Sequence, residues 1–207
     1  MSQHIIHYFD STGRSDVLKL IAEVGSVPYT FKGIKREDWP SVKPSHRYGQ
    51  VPALTINADK ADTTIYHTVV IARYLAQEGG LYPSDRLQAT QTEEYAATVD
   101  EAISKFVPIM HIESPEKKEE ELKKFSEGTV KTMLTAFSGI IEKNEGYLSK
   151  GKLTWADLVF FDFLSFAPAH GLDLSPYKTI LEFKERIGQL EKVKAYNESD
   201  RNLRNRK

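Results

Sequence analysis

The run HIIHYF at residues 4–9 predicts a β-strand, and the polar segment DSTG at residues 10–13 ends it. Apolar residues then recur at helical spacing from Val17 to Val24, and Gly25 supplies a stop signal. The next strand-like run is Tyr29–Phe31. A strand, a helix and a second strand in this order predict a β-α-β unit.

The rest of the first 80 residues extends this unit. Residues 51–56 and 63–66 are two further strand-like runs, and apolar residues from Val69 to Ala76 predict a second helix that ends at Gly79. The predicted order is therefore β-α-β, a long loop, and then β-β-α. We assign residues 1–80 to this α/β domain and residues 81–85 to a linker.

Beyond the linker, the strand signals disappear. Apolar residues from Tyr95 to Met110 repeat at steps of three and four, and Ser114 followed by Pro115 is typical of a helix start. Thr154 and Asp157 form a variant of the capping box before an almost wholly apolar helix, so we expect a structural role for Asp157. Residues 86–207 are therefore predicted to form an all-α domain.

Composition excludes several kinds of chemistry. The 207 residues include 28 Lys and Arg, 29 Asp and Glu, and no cysteine. Without cysteine there is no thiolate metal site and no redox pair, and the near-neutral charge argues against nucleic-acid binding. No signal-peptide or membrane-spanning pattern is present, so we expect a cytoplasmic protein with no membrane partner. The basic residues at the end, Arg201, Arg204, Arg206 and Lys207, are interpreted as a solvated tail.

Five motifs occur in order along the chain. They are YFxxxGR from Tyr8, WPxxKP from Trp39, YGQVPAL from Tyr48, IARYLA from Ile71 and TWAD from Thr154. Together they resemble cytosolic glutathione transferases, most closely the sigma class that includes invertebrate enzymes and haematopoietic prostaglandin D synthase. The resemblance extends from about Ile5 to at least Leu164. It implies the glutathione transferase fold, with a thioredoxin-like N-terminal domain and an all-α C-terminal domain.

The resemblance also implies an enzyme that uses the glutathione thiol as a thiolate nucleophile. Tyr8 matches the family tyrosine whose hydroxyl stabilises the thiolate, and Arg14 matches an arginine close to the sulfur. A hydrogen bond or a nearby cation lowers a thiol pKa, which is the chemistry required. The alternatives are a packing role for Tyr8 and, for Arg14, a salt bridge at the helix start with an acid such as Asp16.

Further residues match the family's glutathione-binding positions. For the glycyl end and the peptide backbone these are Trp39, Lys43, Gly49, Gln50, Val51 and Pro52. The resemblance implies a cis Val51–Pro52 bond whose flanking main chain pairs with the tripeptide. Trp39 could instead cap the core as a loop aromatic, and Lys43 could be a solvated charge.

The γ-glutamyl end departs from the family pattern. His67-Thr68 replaces the usual Gln-Ser, and the loop of residues 57–62 looks longer than the family's tight turn. Thr68 keeps a hydroxyl at a helix N-terminus, which suits a carboxylate. This departure from the family predicts weaker or pH-dependent glutathione binding, and the alternative is a substitution that is tolerated without effect. Asp100 matches an acid that reaches the ligand across the dimer, although a solvent-facing carboxylate is the alternative.

The resemblance implies a homodimer that acts on small hydrophobic electrophiles, without a metal. Glutathione would be a co-substrate in conjugation and a returned cofactor in isomerisation, and peroxidase or prostaglandin-isomerase activity is also implied. The alternative function is non-catalytic, as in S-crystallin-like or ligand-binding sigma-type proteins. The two functions differ in whether Tyr8 supports turnover.

Overall fold

The computed structural model describes residues 3–58 and 61–205. Two compact units are present, one comprising the chain up to residue 82 together with the part from residue 191, and the other residues 83–190. In chain order the elements are β1 (Gln3–Phe9), α1 (Asp16–Val24), β2 (Tyr29–Ile34), α2 (Trp39–Val42), β3 (Ala53–Ala58), β4 (Ala61–Tyr66), α3 (Thr68–Glu78), α4 (Arg86–Met110), α5 (Pro115–Phe125), α6 (Lys131–Lys143), α7 (Trp155–Phe166), α8 (Lys178–Gly188) and α9 (Glu191–Asn197).

The first unit is built on a four-stranded mixed sheet of order β2-β1-β3-β4. Strand β1 is parallel to β2 and antiparallel to β3, which in turn is antiparallel to β4. This topology confirms the β-α-β and β-β-α order predicted from the sequence. Helix α1 buries its apolar residues, including Leu18 and Ile21, which are fully inaccessible to solvent. The carboxyl end of β1 carries Tyr8 and Phe9.

The connection between β3 and β4 is shorter than the sequence suggested. The expected long loop at residues 57–62 is mostly strand, because Asn57 pairs with Asp62 and Ala58 pairs with Ala61. Only residues 59 and 60 are left between the strands, and they lie outside the described residues. Polar side chains within an extended hairpin gave the appearance of a loop.

Among its described residues, the second unit contains helices and no strands, as predicted. Its core contains Phe106, Trp155, Phe160, Phe163 and Phe183, all of which are essentially inaccessible. The indole nitrogen of Trp155 donates a hydrogen bond to Thr92 Oγ1 at 3.1 Å. Between α5 and α6 the chain remains helical through a π-type segment at residues 126–130.

The capping box before α7 is also confirmed. The Asp157 carboxylate accepts the backbone N–H and the hydroxyl of Thr154, each at 2.7 Å, and it also accepts the backbone N–H of Leu148 at 2.7 Å. Its complete burial raises the pKa of Asp157 to about 6, against the lowering effect of these hydrogen bonds. The structural role expected for this residue therefore agrees with its surroundings.

The chain from residue 191 differs from the sequence-based description. The sequence boundary assigned it to the helical domain, whereas α9 packs on α1 in the first unit through Val193 and Tyr196, which are buried. Lys192 Nζ donates to Val24 O at 3.0 Å and to Ser26 Oγ at 2.7 Å. Helical periodicity predicts a helix but does not identify the unit on which that helix packs.

We call residues 198–205 the C-terminal segment. Arg201 Nη1 lies 2.8 Å from Glu23 Oε1, and Arg204 Nη2 lies 3.4 Å from Asp16 Oδ2. The expectation of a solvated basic tail is therefore wrong for Arg204, whose side chain is only 25% exposed, whereas Arg201 pairs with α1 and remains 65% exposed to solvent. Arg206 and Lys207 lie outside the described residues.

Candidate active site

Tyr8 lies near the carboxyl end of β1, and its hydroxyl oxygen accepts the backbone N–H of Arg14 at 3.2 Å. Burial raises the pKa of Tyr8 above its ordinary value, and the hydrogen bond from Arg14 offsets part of this effect. Of the charges nearby, Asp16 also raises the pKa of Tyr8, whereas Arg14 and Arg36 lower it. The phenol is therefore held protonated, and because its oxygen accepts a backbone N–H, its own O–H can be donated to a ligand.

The turn before α1 is packed directly on this phenol. Gly13 has φ +152°, and a Cβ at this position would lie 2.6 Å from the Tyr8 hydroxyl oxygen. The Gly13 backbone N–H donates to Asp16 Oδ2 at 3.0 Å, and the Asp16 backbone N–H donates to Gly13 O at 3.0 Å. Only glycine satisfies both the conformation and the close approach.

Trp39 and Lys43 lie on the short helical segments after β2. The Trp39 ring centroid is 5.3 Å from that of Phe9 and 5.6 Å from that of His46. The Lys43 side chain packs against Gly49, since a Cβ built on Gly49 would lie 3.1 Å from Lys43 Cε. The φ of Gly49 is +58°. Trp39 is half-buried and Lys43 is exposed, so both retain polar groups that are accessible to a ligand.

The segment before β3 contains the expected cis bond between Val51 and Pro52. Gln50 is exposed, Val51 is half-buried and Pro52 is buried. This part of the prediction rested on the family resemblance, and the bond geometry confirms it.

His67 and Thr68 begin α3. His67 has φ +69° and ψ 126°, an uncommon conformation for a residue with a side chain. Its ring centroid lies 5.5 Å from that of Tyr48, which is 54% exposed. Thr68 is the first residue of the helix. The first backbone N–H groups of a helix have no partner within the helix, and this helix start is where the γ-glutamyl carboxylate is predicted to bind.

Ring contacts connect three of the predicted residues, Tyr8, Trp39 and His67, into one continuous row. In order along the row, the rings are those of Tyr8, Phe9, Trp39, His46, Tyr66, Tyr48 and His67, with neighbouring centroids 5.3–6.2 Å apart. The first unit therefore brings together the predicted positions from β1, the α2 region and the start of α3. Asp100 lies on α4 in the second unit, and its role toward a partner subunit stays a prediction.

Sequence reasoning missed several residues that belong to this row or contact it. Arg47 donates its backbone N–H to the Tyr66 hydroxyl at 3.1 Å, and its guanidinium lies 5.7 Å from the Tyr66 ring centroid. The ring centroid of His46 lies 6.0 Å from that of His7, and His7 Nε2 is 3.0 Å from Thr55 Oγ1. Their positions in the sequence could have indicated His46 and Tyr66, because His46 closely follows the WPxxKP motif and Tyr66 directly precedes His67.

Both histidines of this pair have a lowered pKa. Burial is the largest cause for each, the charge of Lys32 adds to it, and His46 contributes to the effect on His7. Near pH 7 the imidazoles of His7 and His46 are therefore neutral, and the His46 ring is the one that contacts Trp39.

Within residues 3–58 and 61–205, no three or more His, Cys, Asp or Glu side chains are grouped so that they could hold a metal ion. Among the helices in this described part of the chain, none combines the length and apolar character needed to span a membrane.

Comparisons with known proteins agree with this architecture. Residues 100–200 match the family model described as glutathione S-transferase, C-terminal domain. A glutathione S-transferase of Anopheles gambiae is 27% identical over 95% of this chain and 96% of its own length. Glutathione S-transferase 3 of Caenorhabditis elegans is 29% identical over 95% of this chain and 96% of its own length.

Solved structures confirm the fold. The structure of prostaglandin synthase D of Nilaparvata lugens has a TM-score of 0.83 and 26% identity, covering 96% of this chain and 98% of that one. The predicted glutathione transferase fold, with a mixed-sheet domain and a helical domain, is therefore confirmed. In sequence and in fold this chain is therefore similar to glutathione S-transferases, through the family model, the curated relatives and the solved structure.

Proposed function

We propose that this chain is a sigma-type glutathione transferase in which the Tyr8 hydroxyl stabilises the thiolate of bound glutathione. A free thiol has a pKa of about 8.5, so little of it is ionised at neutral pH. The observation that carries the proposal is the hydrogen bond from Arg14 N–H to the Tyr8 oxygen, which leaves the phenol proton available for sulfur. Donation to the thiolate lowers the thiol pKa and so raises the nucleophile's concentration.

Conjugation then needs no other catalytic group on the sulfur. The thiol proton passes to solvent, the thiolate forms a bond to an electrophilic carbon, and a leaving group such as halide departs with the bonding electron pair. The Arg14 guanidinium, whose charge acts on Tyr8, would stabilise the negative charge that develops on the sulfur and on the substrate.

The other predicted glutathione ligands would bind the peptide. At the glycyl end, the Trp39 ring N–H, the Lys43 ammonium and the Gln50 amide supply donors for the carboxylate and the adjacent amide. The main chain of Val51, beside cis Pro52 and Gly49, would pair with the extended tripeptide as an added strand. The side chains of Trp39, Lys43 and Gln50 are exposed or half-buried, as ligand contacts require.

At the γ-glutamyl end, Thr68 and the start of α3 would hold the carboxylate, with His67 beside them. Asp100 of the partner subunit would receive the α-amino group, which requires a homodimer. The second substrate would be a small hydrophobic electrophile. The solved relative described as a prostaglandin synthase supports testing prostaglandin isomerisation as well, a reaction in which glutathione is returned as a cofactor.

The test is conjugation of an aryl halide with glutathione by the wild type, Tyr8→Phe and Tyr29→Phe. Tyr29 is the matched control, because its hydroxyl also makes a hydrogen bond, to Glu23 at 3.0 Å, but it lies outside the proposed site. We expect Tyr8→Phe to lower turnover about 10²-fold while binding to immobilised glutathione is retained. Wild-type turnover at the uncatalysed rate, or equal rates for the wild type and Tyr8→Phe, would overturn the proposal.

A further inference from the structure

The Asp16 carboxylate lies at the centre of a buried group of charges. Oδ2 accepts the Gly13 backbone N–H at 3.0 Å, and Oδ1 lies 2.9 Å from Lys19 Nζ. Arg204 Nη2 approaches Oδ2 at 3.4 Å from the C-terminal segment. The Asp16 and Lys19 side chains are only 2% and 1% exposed, whereas that of Arg204 is 25% exposed.

Such a cluster is costly to bury unless its charges are well paired. A carboxylate in the first turn stabilises a helix even when it is exposed to solvent. The stability of α1 therefore does not explain why the Asp16 carboxylate is buried. Lys19 is also constrained by the Phe31 ring, whose centroid lies 4.8 Å from Nζ. The arrangement therefore holds the carboxylate of Asp16 in one position.

That position controls the turn on which the Tyr8 hydroxyl rests. Asp16 holds the N–H of Gly13, and the next N–H along the chain, that of Arg14, donates to Tyr8. Gly13 also touches the phenol ring, because a Cβ built on it would lie 3.0 Å from Tyr8 Cε1. A shift of the Asp16 carboxylate would therefore move the amide that orients the phenol.

The C-terminal segment is itself well fixed. Arg201 forms an ion pair with Glu23 at 2.8 Å, and Asn205 Nδ2 donates to Asn197 O at 2.6 Å and to Ser199 O at 3.0 Å. The backbone N–H of Arg204 donates to Asn202 Oδ1 at 3.1 Å. The guanidinium of Arg204 is thus presented to Asp16 by a defined local structure.

We propose that Asp16 is a positioning residue for thiol activation, and that Arg204 of the C-terminal segment, together with Lys19, fixes its carboxylate so that the Gly13–Arg14 turn orients the Tyr8 hydroxyl. This inference rests on the proposed function. It assigns a role in catalysis to a segment some 190 residues away from Tyr8 in the sequence, on the basis of the ion pair between Arg204 and Asp16.

Electrostatics act in the same direction as positioning. The charged groups that face the Tyr8 hydroxyl are Arg14, Arg36 and Asp16, and among these Asp16 is the anion. Lys19 and Arg204 offset its charge close to the point where a thiolate would form. Loss of Arg204 therefore both loosens the turn and leaves more negative charge beside the sulfur, and each effect disfavours the thiolate.

The experiment compares Arg204→Gln, Arg204→Lys and Arg201→Gln with the wild type. Arg201 is the matched control, because it joins the same segment to α1 through Glu23 rather than through Asp16. For each protein, kcat, KM for glutathione and the pH profile of aryl-halide conjugation are measured together with the melting temperature. Hydrogen exchange of the Gly13 and Arg14 amides gives a readout that does not depend on activity.

We expect Arg204→Gln to lower kcat about tenfold, less than the ~10²-fold cost of a fully misplaced group, with KM for glutathione nearly unchanged. Its pH profile shifts to higher pH, and the exchange of the Gly13 and Arg14 amides becomes faster. Arg204→Lys recovers most of the wild-type behaviour. Arg201→Gln lowers the melting temperature but follows the wild-type pH profile.

Coincident pH profiles and amide exchange for Arg204→Gln and Arg201→Gln would overturn the inference and leave Arg204 with a structural role only. If the wild type shows no turnover above the uncatalysed rate, the proposed function fails instead. In that case amide exchange still decides the positioning claim, since unchanged protection of Gly13 and Arg14 in Arg204→Gln contradicts it.

Discussion

The backbone nitrogen of Arg14 lies 3.2 Å from the hydroxyl oxygen of Tyr8. This contact joins a strand end to a helix start, and it depends on the turn at Gly13, where φ is +152°. The residue proposed to activate the thiol is therefore oriented by main-chain geometry, which makes it sensitive to changes that add no charge and remove no functional group.

Gly13→Ala should disable the site. Its Cβ would lie 2.6 Å from the Tyr8 oxygen at a φ that L-residues rarely adopt, so the turn or the phenol must move. We expect kcat for glutathione conjugation to fall about 10²-fold and the free energy of unfolding to fall by about 1–3 kcal/mol. Steady-state kinetics and chemical denaturation measure the two effects.

Gly139→Ala is the control for this substitution. A Cβ at Gly139, within α6, meets nothing within 4 Å, so alanine should raise the free energy of unfolding by about 0.5–1 kcal/mol and leave turnover unchanged. Full activity in Gly13→Ala would mean that the turn does not orient Tyr8.

Trp39→Phe should weaken glutathione binding while the fold is retained. The substitution keeps an aromatic ring beside Phe9, at 5.3 Å in the wild type, but removes the indole N–H proposed to reach the glycyl carboxylate. We expect the Kd for glutathione to rise about tenfold, as for loss of a hydrogen bond to a charged group. Titration calorimetry measures the Kd, and thermal unfolding checks the fold.

Trp155, the second tryptophan of the chain, provides the control, because its substitution should affect stability and not glutathione binding. Trp155→Phe removes a buried hydrogen bond to Thr92 in the helical unit and should lower the free energy of unfolding by about 1–3 kcal/mol. Its Kd for glutathione should match the wild type. An unchanged Kd in Trp39→Phe would remove Trp39 from the proposed site.

The sequence was sufficient to predict the mixed α/β unit, the helical unit and the positions of Tyr8, Gly13 and Arg14. Local periodicity and turn chemistry specify such elements, and motif resemblance supplied the cis bond at Pro52. The ion pair of Arg204 with Asp16 could not be predicted, because it depends on where α9 packs. The prediction of a long loop at residues 57–62 was wrong for a related reason. Pairing with the neighbouring strand, and not composition, determines where a strand ends.

His7 and His46 should make stability fall in mild acid. Their pKa values are lowered in the folded protein, so below about pH 6.5 the unfolded chain takes up protons that the folded protein does not bind. The free energy of unfolding therefore decreases as pH falls from about 6.5 toward the folded-state pKa values. Urea denaturation between pH 5 and pH 7.5 measures this slope.

Lys32→Gln tests the cause of the shift. Lys32 lowers the pKa of both histidines, so its removal should flatten the slope. Lys35→Gln is the control, because Lys35 is largely exposed and its charge lies 3.8 Å from Glu37. A slope that is the same in Lys32→Gln and Lys35→Gln would exclude Lys32 as a source of the effect.

Asp157→Ala should destabilise the protein far more than removal of an exposed cap. It would leave the buried N–H groups of Leu148 and Thr154 without their acceptor, which costs about 1–3 kcal/mol for each group. Asp85→Ala removes only the exposed cap of α4, which accepts Gln88 N–H at 2.9 Å, and should cost about 1 kcal/mol.

Asp157→Asn separates the effect of the Asp157 charge from that of its hydrogen bonds. Because burial raises the pKa of Asp157 to about 6, the folded protein binds the extra proton between about pH 4 and 6, and this contribution to stability is lost as pH rises through that range. Asparagine cannot titrate, so denaturation of Asp157→Asn should lack this contribution, and an unchanged slope would show that Asp157 is ionised throughout the range.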